Sequence, residues 1–203
     1  KNMSKKNITN IVWLKRDLRL TDHLPLYNAI QKQEDFLILY IYEPSLMQDV
    51  HFDERHGRFI EQSLSDIQEE LLTLDKELTV AFGEATEIFQ LLIDRYNIKN
   101  IFSHEEIGLK ISYSRDLKLN LLFKEYQISW HEYQSNAVIR GLTNRKNWEH
   151  DWNSVMRAPI KKINLIEARI LHYNFSSKKL PNFPAKKYYQ KGGFRTAQNE
   201  LES

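Results

Sequence analysis

Short runs of consecutive apolar residues alternate, along the first 133 positions, with longer stretches whose apolar residues recur every three or four. Residues 11–14 (IVWL) suit a strand covered on both faces. The pattern then predicts a helix from about residue 22 to 31, with Thr21 or Asp22 as its cap and Pro25 in the first turn. Residues 36–42 (FLILYIY) read as the second strand. A long helix over about 54–74 places Phe59, Ile60, Leu64, Ile67 and Leu71 at helical spacing. Residues 78–82 alternate and stop at Gly83, Thr86 can cap a helix over 87–96, residues 100–103 form strand four, a helix covers about 112–126, and residues 128–131 form strand five. Strands joined by helical crossovers predict an α/β fold with a doubly wound, five-stranded parallel sheet, Rossmann-like, in the order 3-2-1-4-5. Its ligand crevice is expected at the switch between strands one and four, bordered by the turns at 15–22 and 104–108. Trp13 and Leu14 are expected to be buried.

After Tyr133 the pattern changes. Residues 134–142 show no period. Trp148, Trp152, Val155 and Met156 then fall at helical spacing before Pro159, and 174–193 reads as a linker broken by Pro181, Pro184, Gly192 and Gly193. The expected organisation is therefore a disordered start at 1–9, an α/β domain at 10–133, a connector with a short helix and helical tail at 134–193, and the beginning of another helix at 194–203, carrying Phe194, Ala197 and Leu201.

With 203 residues, the chain can hold one sizeable core and part of a second. Its 41% hydrophobic and 28% charged residues are those of a soluble protein, and no apolar run approaches membrane-spanning length. The absence of cysteine excludes disulfides, thiolate catalysis and cysteine-held metal clusters. Residues 1–10 lack a signal peptide's apolar core, so a cytoplasmic location and no membrane contact are expected. The net charge of +2 conceals an asymmetry: residues 134–203 hold 13 Lys and Arg against 5 Asp and Glu. The paired lysines at 161–162, 178–179 and 186–187 read more readily as a solvated connector than as a nucleic-acid surface.

The densest polar feature is the turn Lys15-Arg16-Asp17, with Arg19 and Asp22, at the carboxyl end of strand one. These charges either pin the loop by pairing with one another or face a ligand, and Arg16, nearest the strand end, is the candidate for reaching into the crevice. No glycine-rich phosphate loop is present, and none of the histidines has HExxH or i, i+4 spacing, so no metal is assigned. No GxSxG context supports a hydrolase. Trp148 and Trp152, one turn apart, are read as a core pair.

The opening motif, Ile11-Val12-Trp13-Leu14-Lys15-Arg16-Asp17-Leu18-Arg19-Leu20-Thr21-Asp22, resembles that of the DNA photolyase/cryptochrome family. Further matches follow in order: Glu43-Pro44 after strand two, Ile101 to Glu106, and Arg115-Asp116. The resemblance implies the amino-terminal domain of a flavoprotein for light-driven DNA repair, with flavin adenine dinucleotide (FAD) held by a helical domain of which residues 194–203 would be the truncated start. A photosensory cryptochrome is the alternative, and a stand-alone nucleotide-binding module the third reading. Catalytic residues are expected to lie outside this chain, which by itself would be inactive. The resemblance also implies a possible antenna chromophore in the α/β domain, a deazaflavin, flavin or folate, with Glu105 or Glu106 at its ring edge and Arg16 nearby. Ile111-Ser112 stands where folate-type relatives carry Asn-Glu, which speaks against folate. Damaged DNA would be the partner of the full-length parent, with weak or no binding by this fragment, and a monomer is expected.

Overall fold

The computed structural model describes residues 10–136, 138, 144, 146–175, 179–184 and 190–202. In chain order, β1 (Asn10–Leu14), α1 (Leu24–Gln31), β2 (Phe36–Tyr42) and the single turn α2 (Pro44–Met47) lead into the long helix α3 (Glu54–Leu72). Then come β3 (Thr79–Phe82), α4 (Ala85–Arg95), β4 (Asn100–His104), α5 (Lys110–Glu125) and β5 (Ser129–Tyr133). The five strands pair in parallel in the order β3-β2-β1-β4-β5. Trp13 of β1 lies opposite Leu39 of β2 and Ser103 of β4. This is the expected doubly wound α/β sheet.

Every residue of β1 and β2 is buried, as uninterrupted apolar strands require when helices cover both faces. One face packs Trp13, Leu39 and Ile101 against Phe89 and Leu92 of α4 and Leu119 and Phe123 of α5. The other packs Val12, Leu14, Phe36 and Phe102 against Leu26 of α1 and Leu64, Ile67 and Leu71 of α3. Trp13 and Leu14 are each 1% exposed. Such burial of a large side chain contributes about 1.5–3 kcal/mol each.

Two helix starts differ from the expected ones. His23, rather than Thr21 or Asp22, caps α1: its backbone is extended and its Nδ1 accepts the Leu26 N–H at 3.1 Å. Asp22 has φ 48°, a turn conformation, and its carboxylate accepts the backbone N–H of Lys161 at 3.0 Å. α4 begins at Ala85, so Thr86 lies inside the first turn and Glu84 occupies the cap position without a side-chain cap.

The later segments are helix α6 (Trp148–Met156), strand β6 (Ile170–Leu171) and helix α7 (Phe194–Glu202). β6 lies parallel to β2 at Phe36 and Leu37, the part of β2 that β3 leaves unpaired. Phe183, within the stretch read as linker, is buried against Tyr42 and Phe52, over Gly57 of α3. A side chain at position 57 would overlap the Phe183 ring. Loop-type composition thus coexists here with a docked backbone. The core reading of the tryptophan pair is corrected: their rings stand 6.5 Å apart, but α6 buries none of its residues and Trp148 is 44% exposed. The i, i+4 contact is made without a core beneath it. The expected disordered start at 1–9, most of the aperiodic stretch 134–142, and all or part of the lysine pairs at 178–179 and 186–187 lie outside the described residues. Among the described residues, no helix is long and apolar enough to cross a membrane.

Candidate ligand cavity at the carboxyl ends of the strands

A cavity of about 620 Å³ opens over the carboxyl ends of β2 and β1 and reaches the turn after β4. The expected crevice was centred on the β1–β4 switch. There, Arg115, Asp116, Lys15 and Glu106 fill the space with ion pairs, while α2 and the loop before α3 leave room above β2. Leu46, Met47, Phe52, Phe59 and Ile60 make the apolar wall and Lys15, Arg16, Glu43, Glu106 and Arg115 the polar one; Asp49, His51 and His56 border the rim before and at the start of α3, and Phe194 and Ala197 of α7 also line the cavity.

The polar wall is organised by Arg115 on the second turn of α5. Its Nη1 donates to Glu43 Oε1 at 2.6 Å, its Nη2 to Glu106 Oε2 at 2.7 Å, and its Nη2 and Nε to Asp116 Oδ1 at 2.8 and 2.9 Å. Arg16 Nε donates to the other Glu106 oxygen at 3.0 Å. Lys15 Nζ lies 3.5 Å from Asp116 and 3.7 Å from Glu132, over the rings of Trp13 (4.5 Å) and Trp130 (5.0 Å). The Arg115 guanidinium stacks on Trp13 at 4.7 Å. Aromatic faces and carboxylates together compensate the desolvation of two buried cations.

Glu43 and Glu106 share one guanidinium yet shift in opposite directions. Desolvation raises Glu43 to about 7, an effect Arg115 only partly offsets. Desolvation also acts to raise Glu106, but Arg115, Arg16 and Lys15 outweigh it and lower its pKa. Burial lowers the Lys15 pKa against the opposing pull of Asp116. Of the two carboxyls that share the ends of the Arg115 fork, Glu106 has a second cation in Arg16 that Glu43 lacks, which separates their shifts.

Behind this wall, Asp17 anchors the ionic turn. Its Oδ1 accepts the Lys15 backbone N–H at 2.9 Å, and its Oδ2 meets His23 Nε2 and His104 Nδ1, each at 2.5 Å. All three side chains are buried. The histidines, separated by 81 residues and thus invisible to spacing rules, bring their ligand atoms and that of Asp17 within 4.8 Å of one another. The Leu26 N–H donates to His23 Nδ1, which places the His23 proton on Nε2, pointing at Asp17. That nitrogen is then a donor, and the trio reads as a hydrogen-bonded clamp joining β1, α1 and β4. Burial opposes ionisation of Asp17, but the bonds from His104 and His23 prevail and hold its pKa well below the usual range. Burial lowers that of His23.

Of the residues singled out from sequence, Arg16 and Glu106 meet on the cavity wall. Glu105 is half-buried outside the lining, its backbone N–H donating to the Tyr133 carbonyl at 2.8 Å. The charges of the turn do not pair chiefly among themselves. Arg16 reaches Glu106 and Asp17 the two histidines, while Arg19 binds the carbonyls of Thr21 and Asp22. Sequence reasoning missed Lys15, Glu43 and Arg115 as cavity residues. The available signal was an acid placed immediately after a fully apolar strand, at Glu43.

α7 reaches the cavity because two glycines let it lie on α3. A Cβ at position 192 would stand 2.5 Å from the Phe59 carbonyl oxygen and 3.0 Å from its Cα, both helix backbone, and Gly193 has φ +106°. Gly192→Ala is expected to lift α7, at a cost of about 1–3 kcal/mol. The check is hydrogen exchange over 194–202, which should accelerate while β1 and β2 stay protected.

A family model described as DNA photolyase matches residues 10–165. A cryptochrome DASH of Gloeobacter violaceus is 30% identical over 125 residues, covering 59% of this chain and 25% of the relative. The deoxyribodipyrimidine photo-lyase of Salmonella typhimurium is 28% identical over 152 residues, covering 74% and 28%. The chain thus spans about a quarter of the length of these curated relatives. The archaeal photolyase from Sulfolobus tokodaii, solved with two FAD molecules, superposes with a TM-score of 0.75 at 22% identity, over 97% of this chain and 46% of that one. A Synechocystis cryptochrome gives 0.74 at 19%, over 98% and 46%. At these identities the structures speak to the fold.

Proposed function

The chain belongs to the DNA photolyase family, and from that premise we propose that its cavity seats a light-harvesting chromophore within a larger FAD-dependent protein acting on damaged DNA. The observation that carries this reading is the cavity itself. Its volume of about 620 Å³ falls in the range of small-molecule sites, and one apolar wall faces a few fixed polar groups. A flavin or deazaflavin fits that donor set better than a phosphate would, because the buried guanidinium of Arg115 is already committed to three carboxylates. A bound chromophore would supply light absorption, the cofactor's own chemistry. The chain's residues position it and keep water away: Phe52, Phe59 and Phe194 offer apolar contact, and Arg16 with Glu106 offers a charged pair for a ring edge. FAD in a helical domain would then be the acceptor of the excitation, and the fold's own part ends at placement. A cryptochrome role is the second reading, favoured by the relatives named cryptochrome DASH. Repair of dimer-containing DNA by the whole protein under blue light separates the two.

Titration of the chain with flavin mononucleotide, a deazaflavin and folate, followed by fluorescence, tests the site. The expected result is saturable binding of a flavin-type ring, weakened at least tenfold, about 1.4 kcal/mol, by Glu106→Ala, and much less by Glu105→Ala. Unchanged affinity in Glu106→Ala would leave neither residue a part in holding the ring.

A further inference from the structure

Of the two carboxyls on the polar wall, Glu43 has a hydrogen-bonding position left over and Glu106 does not. The Glu43 side chain is 3% exposed, its Oε1 is taken by Arg115 Nη1, and its Oε2 makes no hydrogen bond among the described residues although the residue lines the cavity. No fully buried side-chain nitrogen or oxygen among the described residues lacks a partner, so Oε2 opens onto the cavity space. Both Glu106 oxygens, by contrast, already accept from cations. A polar oxygen placed in an apolar setting gains most from a partner of complementary hydrogen-bonding character, which makes it a determinant of specificity.

Resting on the chromophore reading of the cavity, we propose that Glu43 is its specificity-determining residue, whose ionised Oε2 accepts the ring N–H of an imide- or lactam-edged heterocycle. The ring N–H thus falls to the acid at the end of β2, and the Arg16–Glu106 pair beside it meets another part of the ring edge. The groups facing Glu43 define the electrostatics of this contact. Arg115 comes from α5, Glu106 from the β4–α5 turn, Glu84 from the β3–α4 turn and Tyr40 from β2, while Arg16 and Lys15 act on Glu106, and Asp116 on Arg115, behind them. Among the described residues, only Arg115 of the cations bonds Glu43, while burial above all, and then Glu106 and Glu84, oppose its ionisation and raise its pKa to about 7. Glu43 therefore changes charge near neutral pH, where a ring N–H selects the ionised acceptor and a ring lacking N–H does not.

The experiment is a fluorescence titration with riboflavin, which carries no phosphate to titrate, at about pH 6 and about pH 8. The wild-type affinity is expected to rise about fivefold or more between the two, and Glu43→Gln, whose amide oxygen still accepts from Arg115, should abolish the rise. N3-methylriboflavin, which has no N–H at that edge, needs no variant and should show no rise with the wild-type chain. Riboflavin binding that is equally strong at both pH values, or a rise that persists in Glu43→Gln or with the methylated ring, overturns the assignment of Glu43 and leaves the cavity reading standing. An absence of saturable riboflavin binding at both pH values overturns the reading and this inference together.

Discussion

Arg115→Ala is expected to cost the domain about 3–5 kcal/mol in urea or thermal unfolding. The side chain of Arg115 is 9% exposed, and its removal strands Glu43, Glu106 and Asp116, exposed at 3%, 3% and 7%, without their shared cation. Among the described residues, Glu43 then has no cation bonded to it, while Glu106 keeps Arg16 and Asp116 keeps Lys15, and the buried carboxyls either stay charged with less compensation or take up protons, both at a cost in free energy at neutral pH. The three carboxylates raise the Arg115 pKa against the desolvation that would lower it, so the guanidinium remains charged throughout the working range. Arg115→Lys should recover only part of the loss, since a single ammonium cannot reproduce a planar fork with bonds to three partners. A loss below about 1 kcal/mol for the alanine variant would show the network to be dispensable.

Asp17→Ala is expected to have an effect of similar size, about 3–5 kcal/mol, because the carboxylate holds three donors at once. Without it, His23 and His104 lose their shared acceptor inside the fold, and the Lys15 amide loses its bond. The pH dependence follows from the directions of the shifts. His23 is lowered from 6.5, so the unfolded chain takes up this proton first, and stability declines as pH falls below 6.5 toward the folded pKa. Asp17 is lowered well below 3.8, so its contribution is complete above 3.8 and is lost as pH falls further, toward its folded value. Glu43 acts in the opposite sense: its raised pKa favours the fold at low pH, and that advantage is lost as pH rises from 4.5 through about 7. Asp17→Ala should therefore lower the unfolding midpoint most near neutrality and least near pH 3, as read by circular dichroism melts. An equal loss at both would remove the ionised carboxylate from the account.

The sheet was legible in the sequence because β1 and β2 are covered on both faces and leave runs such as FLILYIY that no surface element would carry. Helical crossovers between them fix the parallel pairing and, with it, the neighbourhood of Arg16 and Glu106. The cap of α1 was not legible, since histidine is not a favoured capping residue and the tautomer that lets its Nδ1 accept is fixed here by Asp17, six residues earlier across the turn. The same reason hides the wall of the cavity. Arg115 meets Glu43 from 72 residues away, and Lys15 meets Asp116 from 101 away, contacts that no local spacing encodes. The docked connector escaped as well. β6 and Phe183 lie among prolines and lysines, and their places are set by an unpaired stretch of β2 and a bare Gly57, features of the surface they cover. Glu43 stood in plain view as the acid that ends a buried strand, but its meaning depends on which of its two oxygens Arg115 leaves free.

A crystal structure of the protein grown with riboflavin tests the central claim most directly. The account predicts the ring between Phe52 or Phe59 and the polar wall, with its N–H edge about 3 Å from Glu43 Oε2. A ring bound anywhere else on the protein, or one in the cavity whose N–H edge faces away from Glu43, would contradict it.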